Sequence, residues 1–526
     1  MTKQAFRGLV LCAVLGALLF RTVRLDLRPM HHDEANQAVK FGDLLERGEY
    51  RYDPKDHHGP SLYYLTLPVA RLLAGSSLAG ASETTLRLVP ALFGTAVLLL
   101  FLLFAGGLAP ETIVSAAFLA ALSPALTYYS RFYIQETLLV FFLAALVASG
   151  WKYVQTRSPW WAAAAGMAAG MMYATKETSV ILFGALAGAA AIDRLLRPKA
   201  GPREPWRPAA ALIHAALFLI AAFVPAWLLF TSFLRNPKGL ADSVLAFGTY
   251  FSRGGEAGIH TQPWYYYIKT LLYSRFGHGP LWSEAFIVAL AIAGSIFAFA
   301  QEPGKDGHPR LVRFLFFFTV LAAAVYSLIP YKTPWNMLPF CLGLVLLAGN
   351  GAGMLWRAGK FRIVKAVILA LMAPGILNLA GQDYRANFVD YANPTNPYVY
   401  AQTSLDFLKL VRAVEGVAAL HPEHERMLVK VVAPPDETWP LPWSLRRFGR
   451  VGYWTDAAAA GDLKEAAVVI SSAGFAEAVA RDLGPGYQSA FYGLRPEVVL
   501  ALFVRQDLWD GYVKGRAADS PSRRAR

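Results

Sequence analysis

A mostly α-helical, polytopic membrane bundle of about eleven spans, with a small α/β domain outside the bilayer, is the fold class this sequence predicts. Three observations predict it. Of the 526 residues, 55% are hydrophobic and only 16% are charged, against roughly 25% charged in an ordinary soluble domain. Apolar stretches of about 17 to 25 residues, the length that crosses a hydrocarbon core, recur as far as residue 385. Beyond that point they give way to short strand and helix patterns.

The spans fall near 5–25, 86–105, 110–128, 134–151, 160–175, 178–193, 209–233, 281–300, 312–330, 336–355 and 363–380. Those at 160–175 and 178–193 are short for a straight crossing, so the count carries a tolerance of one or two. The first span has a basic lead, Lys3 and Arg7, but Arg21-Thr22-Val23-Arg24 stands where a small-residue cleavage site would be needed. It therefore reads as a retained anchor. Lys and Arg gather in alternate loops, at Lys152 and Arg157, at Arg194 to Arg207, at Lys305 to Arg313 and at Arg357 to Lys365. The positive-inside rule makes these loops and the N-terminus cytoplasmic, and the C-terminal domain extracytoplasmic, in a plasma (inner) membrane.

The net charge of +14 lies largely in those cytoplasmic loops, where anionic lipid explains it and no nucleic-acid partner is needed. The two cysteines, Cys12 and Cys341, sit inside apolar spans, so neither a disulfide framework nor a zinc spacing is present.

The first outer loop, 26–85, is included with the membrane domain, 1–385. It contains two amphipathic helix patterns, Glu34 to Arg47 and Ser61 to Leu73, suited to lying at the interface. The turn-rich Tyr52 to Pro60 joins them. A second long outer segment, 234–280, contains Trp264-Tyr265-Tyr266-Tyr267, an interfacial aromatic belt by preference over a sugar platform. The soluble domain, 386–512, opens on the linker Asn393-Pro394-Thr395-Asn396-Pro397. It has helical patterns at 402–419 and 474–483 and buried-strand patterns at 427–432, 467–471 and 498–504. No glycine-rich phosphate loop accompanies them, so no nucleotide is expected. Residues 513–526 form a basic tail.

Charged clusters lie at the outer ends of the odd-numbered spans: His31-His32-Asp33-Glu34, Asp56-His57-His58, Arg131 to Glu136, Thr175-Lys176-Glu177 and Tyr331-Lys332-Thr333-Pro334-Trp335. Charges at a membrane boundary cost hydration unless partnered, and they usually mark function. Asp33, Glu34 and Glu136 suit a base or a cation ligand, and Arg131, Lys176 and Lys332 suit a phosphate. Plainer readings stand beside these. The acid pair fits a solvated loop, the two lysines fit snorkelling to the interface, and Arg131 with Glu136 fits a structural ion pair. No His-Glu-x-x-His spacing occurs, so His57 and His58 read as substrate contacts ahead of metal ligands. A divalent cation stays open, with no metal site assigned. In the soluble domain, Asp436-Glu437-Thr438-Trp439-Pro440 combines acids with an aromatic face able to pack on sugar. That makes Asp436, Glu437 and Trp439 candidates for acceptor selection, beside the ordinary roles of a core tryptophan and turn-shaping prolines.

The order of Asp33-Glu34, Pro60 with Tyr63-Tyr64, Arg131 with Glu136 five residues on, Thr175-Lys176 and Lys332-x-Pro334-Trp335 resembles the GT-C superfamily of polytopic glycosyltransferases. The branch it resembles holds the protein O-mannosyltransferases and aminoarabinose transferases. Asp436 to Trp443 and Val451-Gly452-Tyr453-Trp454 extend the likeness to membrane proteins described as flippase activity-associated. Two departures stand out: Glu136 replaces an Asp, and Lys176-Glu177 replaces Lys-Gly. The resemblance implies transfer of a sugar, with inversion, from a polyprenyl- or dolichyl-phosphate carrier to an acceptor hydroxyl on the outer face. Asp33 would be the base, and Arg131, Lys176 and Lys332 would stabilise the leaving phosphate. The acceptor, whether glycan, lipid or protein, stays open. The alternative is a lipid-linked oligosaccharide flippase, or an accessory to one, without transferase activity. A carrier of that kind usually shows repeated halves and mid-membrane polar residues, whereas here the charges concentrate at one surface. The five clusters are expected to converge on one cavity.

Overall fold

The computed structural model describes residues 1–55, 58–196, 208–255, 260–300 and 309–518. His57 and its neighbour Asp56 lie outside the described residues, as does the end of the basic tail. In chain order the helices begin with α1 (Lys3–Thr22), α2 (His32–Arg47), α3 (Ser61–Ala74), α4 (Glu83–Leu100), α5 (Pro110–Leu122), α6 (Pro124–Ser130), α7 (Glu136–Thr156) and α8 (Pro159–Tyr173). They continue with α9 (Ser179–Leu195), α10 (Pro208–Phe230), α11 (Gly239–Gly255), α12 (Tyr266–Leu272), α13 (Ala285–Ala300), α14 (Pro309–Leu328), α15 (Leu338–Ala358) and α16 (Arg362–Tyr384). After these come α17 (Phe407–Leu420), α18 (Pro435–Thr438), α19 (Leu441–Ser444), α20 (Ala476–Leu483) and α21 (Gln506–Ala518).

Ten of the eleven apolar stretches form one helix each, and 110–128 forms the pair α5 and α6. Among the described residues, seven helices are long and apolar enough to cross a membrane, and an eighth span arises if the bent pair α5 and α6 counts as one. That pair turns by 61° where Pro124, which has no N–H to donate, starts a new helix capped by the Ser123 hydroxyl. The remaining three, α8, α9 and α13, have only 15, 17 and 16 residues. The expectation of eleven full crossings is thus met in helix placement but not in helix length.

The chain divides into two compact units. The first comprises Met1–Leu25, Gly48–Leu73 and Ser82–Tyr400; the second comprises Asp26–Arg47, Ala74–Ala81 and Ala401–Arg526. In the first unit, small residues let helices approach closely. Side chains at Gly166 and Gly170 of α8 would strike the Phe218 and Ala222 carbonyls of α10, and Gly294 of α13 lies against Leu347 and Gly351 of α15. This is how helices associate where lipid removes the hydrophobic drive.

The second unit has a five-stranded sheet in the order β2-β1-β3-β5-β4, built from β1 (Val429–Val432), β2 (Val451–Trp454), β3 (Val468–Ser472), β4 (Tyr487–Arg495) and β5 (Val498–Arg505). β1 runs parallel to β2 and β3, and β5 runs antiparallel to β3 and β4. Alternate residues feed two cores, as the period of a strand requires. Val468, Ile470, Leu500 and Leu502 pack with α17, while Val469, Ala501 and Phe503 pack with α20.

Two parts of the first loop belong to this second unit rather than to the membrane domain in which the sequence reading included them. Helix α2 buries Phe41, Leu44 and Leu45 and packs on α19. Gln402 and Thr403 donate to the Pro29 and Met30 carbonyls at 2.9 and 2.7 Å, and Arg446 donates to the Ala81 carbonyl at 2.6 Å. These pairings are non-local, so the local pattern of α2 does not reveal them.

Candidate active site

The second unit contains the acid pair. Asp33 and Glu34 occupy the first turn of α2, where the positive end of the helix dipole favours carboxylates. Their environments differ sharply. Glu34 is fully buried; it accepts from the His31 backbone N–H at 3.0 Å and lies 3.9 Å from Arg28, so it caps its own helix. The Asp33 side chain is 43% exposed, with the His31 ring 3.8 Å away. Of the two acids, Asp33 is the one open to a ligand.

The same unit brings the acceptor-selection candidates to this helix. The His32 ring lies 6.0 Å from the half-buried Trp439 ring. Asp436 is exposed and 3.6 Å from Arg495, which also donates to the Asp436 carbonyl at 3.0 Å; Glu437 is half-buried beside it. Burial lowers the basicity of His32, with Asp33 opposing that effect.

The first unit contains the other named residues. Glu136 opens α7, and Lys176 lies in the turn between α8 and α9. Both are buried, and they form a hydrogen-bonded ion pair. The second carboxylate oxygen of Glu136, Oε2, has no hydrogen-bond partner, an uncommon condition for a buried charged group. Glu177 lies 2.9 Å from the His58 ring and accepts from the Tyr52 hydroxyl at 3.1 Å. Burial pushes its carboxyl up, but His58 and Lys176 outweigh that effect and hold it below the ordinary value. The two segments are seamed together by Ser61, whose N–H donates to the Ala174 carbonyl at 3.0 Å and whose hydroxyl meets that of Thr175 at 2.8 Å. A side chain at Gly59 would strike the Ala174 carbonyl, so glycine is required by this close approach.

Lys332 is 1% exposed. Its ammonium donates to the Gln262 carbonyl at 3.0 Å and to the Ile329 carbonyl. Burial lowers its basicity. Trp335 packs 5.9 Å from Tyr129 and 5.7 Å from Tyr400. Arg131 has a different setting. Its guanidinium donates to the carbonyls of Phe20, Arg21, Val23 and Arg24 at 2.8 to 3.2 Å and stacks on Phe388 at 4.7 Å. It thereby satisfies two carbonyls that the last turn of α1 leaves open and two in the segment just after it.

Several polar residues escaped the sequence reading. Glu284 is buried and accepts from the Ser123 hydroxyl at 2.6 Å, the Ala125 N–H at 3.0 Å and the Tyr398 hydroxyl at 2.7 Å, so it caps α6. Its only signal was an acid just before an apolar helix. Tyr52 and Arg495 had no signal at all. No group of three His, Cys, Asp or Glu among the described residues could hold a metal ion.

Residues 68–229 match the family of dolichyl-phosphate-mannose-protein mannosyltransferases. The structure is similar to ArnT from Cupriavidus metallidurans bound to undecaprenyl phosphate. The TM-score is 0.63 at 14% identity, over 94% of this chain and 98% of the other. The chain has the GT-C fold. The archaeal oligosaccharyltransferase AglB from Archaeoglobus fulgidus, in complex with an inhibitory peptide and a dolichol-phosphate, shares this GT-C architecture. Its TM-score is 0.53 at 12% identity, over 93% of this chain and 73% of the other. The same archaeal protein is known in a complex with zinc and sulfate, at a TM-score of 0.51 and 12% identity over 93% of this chain and 73% of the other. No curated protein matches the sequence. In this chain the named residues are divided: Asp33, Glu34, Asp436, Glu437 and Trp439 belong to one unit, and His58, Arg131, Glu136, Lys176, Glu177 and Lys332 to the other.

Proposed function

We propose that the protein is a membrane glycosyltransferase that moves a sugar from a polyprenyl- or dolichyl-phosphate carrier to an acceptor hydroxyl on the outer face of the membrane, with inversion. The observation that carries the reading is the contrast inside the acid pair. Glu34 is consumed by its own helix, whereas Asp33 presents an open carboxylate in the unit that also holds Trp439. Asp33 takes the acceptor proton as the acceptor oxygen attacks the anomeric carbon. The bond from that carbon to the phosphate oxygen breaks, and its electron pair leaves with the carrier phosphate.

Lys332 and Lys176 receive that phosphate. An ammonium has three donors; Lys332 directs two at carbonyls and Lys176 directs one at Glu136, so each retains capacity for an anion. Arg131 acts at one remove, by fixing the end of α1. Glu136, His58 and Glu177 order the turn that contains Lys176, and Trp439 with Asp436 and Glu437 selects the acceptor. The assignment goes with a cytoplasmic N-terminus and an extracytoplasmic second unit.

The test is purified protein in lipid with a panel of polyprenyl-phosphate-linked sugars, following release of the free carrier phosphate. Sugar-dependent release with inverted product stereochemistry supports the reading. Release from no lipid-linked donor, in protein shown to be folded, overturns it.

A further inference from the structure

At the end of the bundle opposite Glu136 and Ser179, helices α7, α9 and α14 enclose a cleft of about 400 Å³. Its walls are apolar, with Val147, Trp151, Phe183 and Phe314 among them. Its floor is open where Gly150 lies, since a side chain built there would meet nothing within 4 Å. One end is charged: Asp193 and Arg310 both line the cleft and pair at 3.2 Å. The acid is buried, while 40% of the Arg310 side chain is exposed. Arg194 is exposed on the next residue of α9, and Arg313 follows one turn along α14.

We propose that this cleft binds one anionic diacyl phospholipid, with an acyl chain along the apolar wall and the phosphate against Arg310. Three observations choose this occupant. α7 and α14 are long and apolar enough to cross a membrane, so a cleft along their sides opens toward hydrocarbon. Its volume lies in the range of real ligand sites, about 300 to 1,000 Å³. At the charged end the acid is buried and the Arg310 guanidinium is the more exposed partner, with Arg194 and Arg313 adjoining on the same two helices, and basic pockets between membrane helices are known headgroup sites. The site is separate from the transfer site, so the proposal stands apart from the function proposed above.

Native mass spectrometry of the full-length protein, delipidated in detergent and titrated with phosphatidylglycerol or with phosphatidylcholine of the same chains, tests it. The wild type should retain one phosphatidylglycerol with about fivefold preference, the equivalent of about 1 kcal/mol for a surface cation. Gly150→Leu and Ala187→Phe, which fill the cleft from open positions, should each abolish retention of that lipid. The double variant Asp193→Asn with Arg310→Gln, which leaves no buried charge unpaired, should still bind lipid but lose the preference. Equal retention of the two lipids by the wild type overturns the proposal, as does undiminished retention by both cleft-filling variants. Displacement of phosphatidylglycerol from the wild type by an equimolar amount of undecaprenyl phosphate overturns the choice of a diacyl lipid.

Discussion

At Asp33 the decisive property is access. The neighbouring acid is withdrawn into its own helix terminus, and the exposed carboxylate is the proposed base. Asp33→Asn should therefore lower turnover by about 10²- to 10⁴-fold, the usual contribution of a positioned base, with membrane insertion and thermal unfolding unchanged. Wild-type turnover in the variant would pass the role to Glu136. Lys332→Met should weaken binding of the phosphate-bearing carrier more than binding of the acceptor, because a thioether cannot pair with phosphate. Equal donor affinity in a lipid-binding titration would make Lys332 a turn-holding residue and nothing more. His32 makes a statement about pH. Burial holds its basicity below the ordinary value of 6.5, so the folded state prefers the neutral ring. Its contribution to stability is complete above pH 6.5 and is lost as the pH falls below that value. Hydrogen-exchange protection of α2 should drop between pH 7.5 and 5.5 in the wild type and change less in His32→Gln.

Among the elements, α1 depends on a side chain from a distant helix. Two carbonyls of its last turn, Phe20 and Arg21, and two just beyond it, Val23 and Arg24, are satisfied by Arg131. Arg131→Gln should destabilise the protein by about 2 to 4 kcal/mol, because four buried or partly buried carbonyls lose a charged donor at once, and donor affinity in the folded fraction should be retained. Loss of donor binding at unchanged stability would return Arg131 to the phosphate. The same scale shows what the sequence made legible. Every apolar stretch became helical, because length and hydropathy alone specify a membrane helix. The three strands read from the sequence, around Val431, Ile470 and Leu502, are the central ones, buried on both faces and therefore continuous apolar runs. The two that were missed, Val451–Trp454 and Tyr487–Arg495, are the sheet edges. Their burial is only partial, so hydrophobic pattern does not mark them. At the candidate site, residue types were legible but their commitments were not. The cap that Glu34 makes with the His31 N–H is local, but the burial of Glu34 and the engagement of Arg131 depend on where other segments fold.

Over the whole molecule, the first loop is shared between the units. It gives α2 to the second unit and most of α3 to the first. A chain ending at Tyr400 should insert and bind carrier lipid, since Lys176 and Lys332 are retained, but should lose transfer entirely. Helix α2 would then lack α19, Gln402 and Thr403. Full activity in that truncated protein would show that residues 401–526 are a separate attachment.

The hydrogen bonds from Gln402 to Pro29 and from Thr403 to Met30 each join residues 373 positions apart. At a synthesis rate of roughly 5 to 20 residues per second, α2 leaves the ribosome about 20 to 75 s before the segment that holds it exists. Throughout that interval its apolar face must be sheltered elsewhere, and the interface beside the newly inserted α1 is the nearest refuge for an amphipathic helix. The proposed base is thus made among the first residues and put in order among the last. On the function proposed above, a nascent or prematurely terminated protein should bind carrier lipid without transferring its sugar.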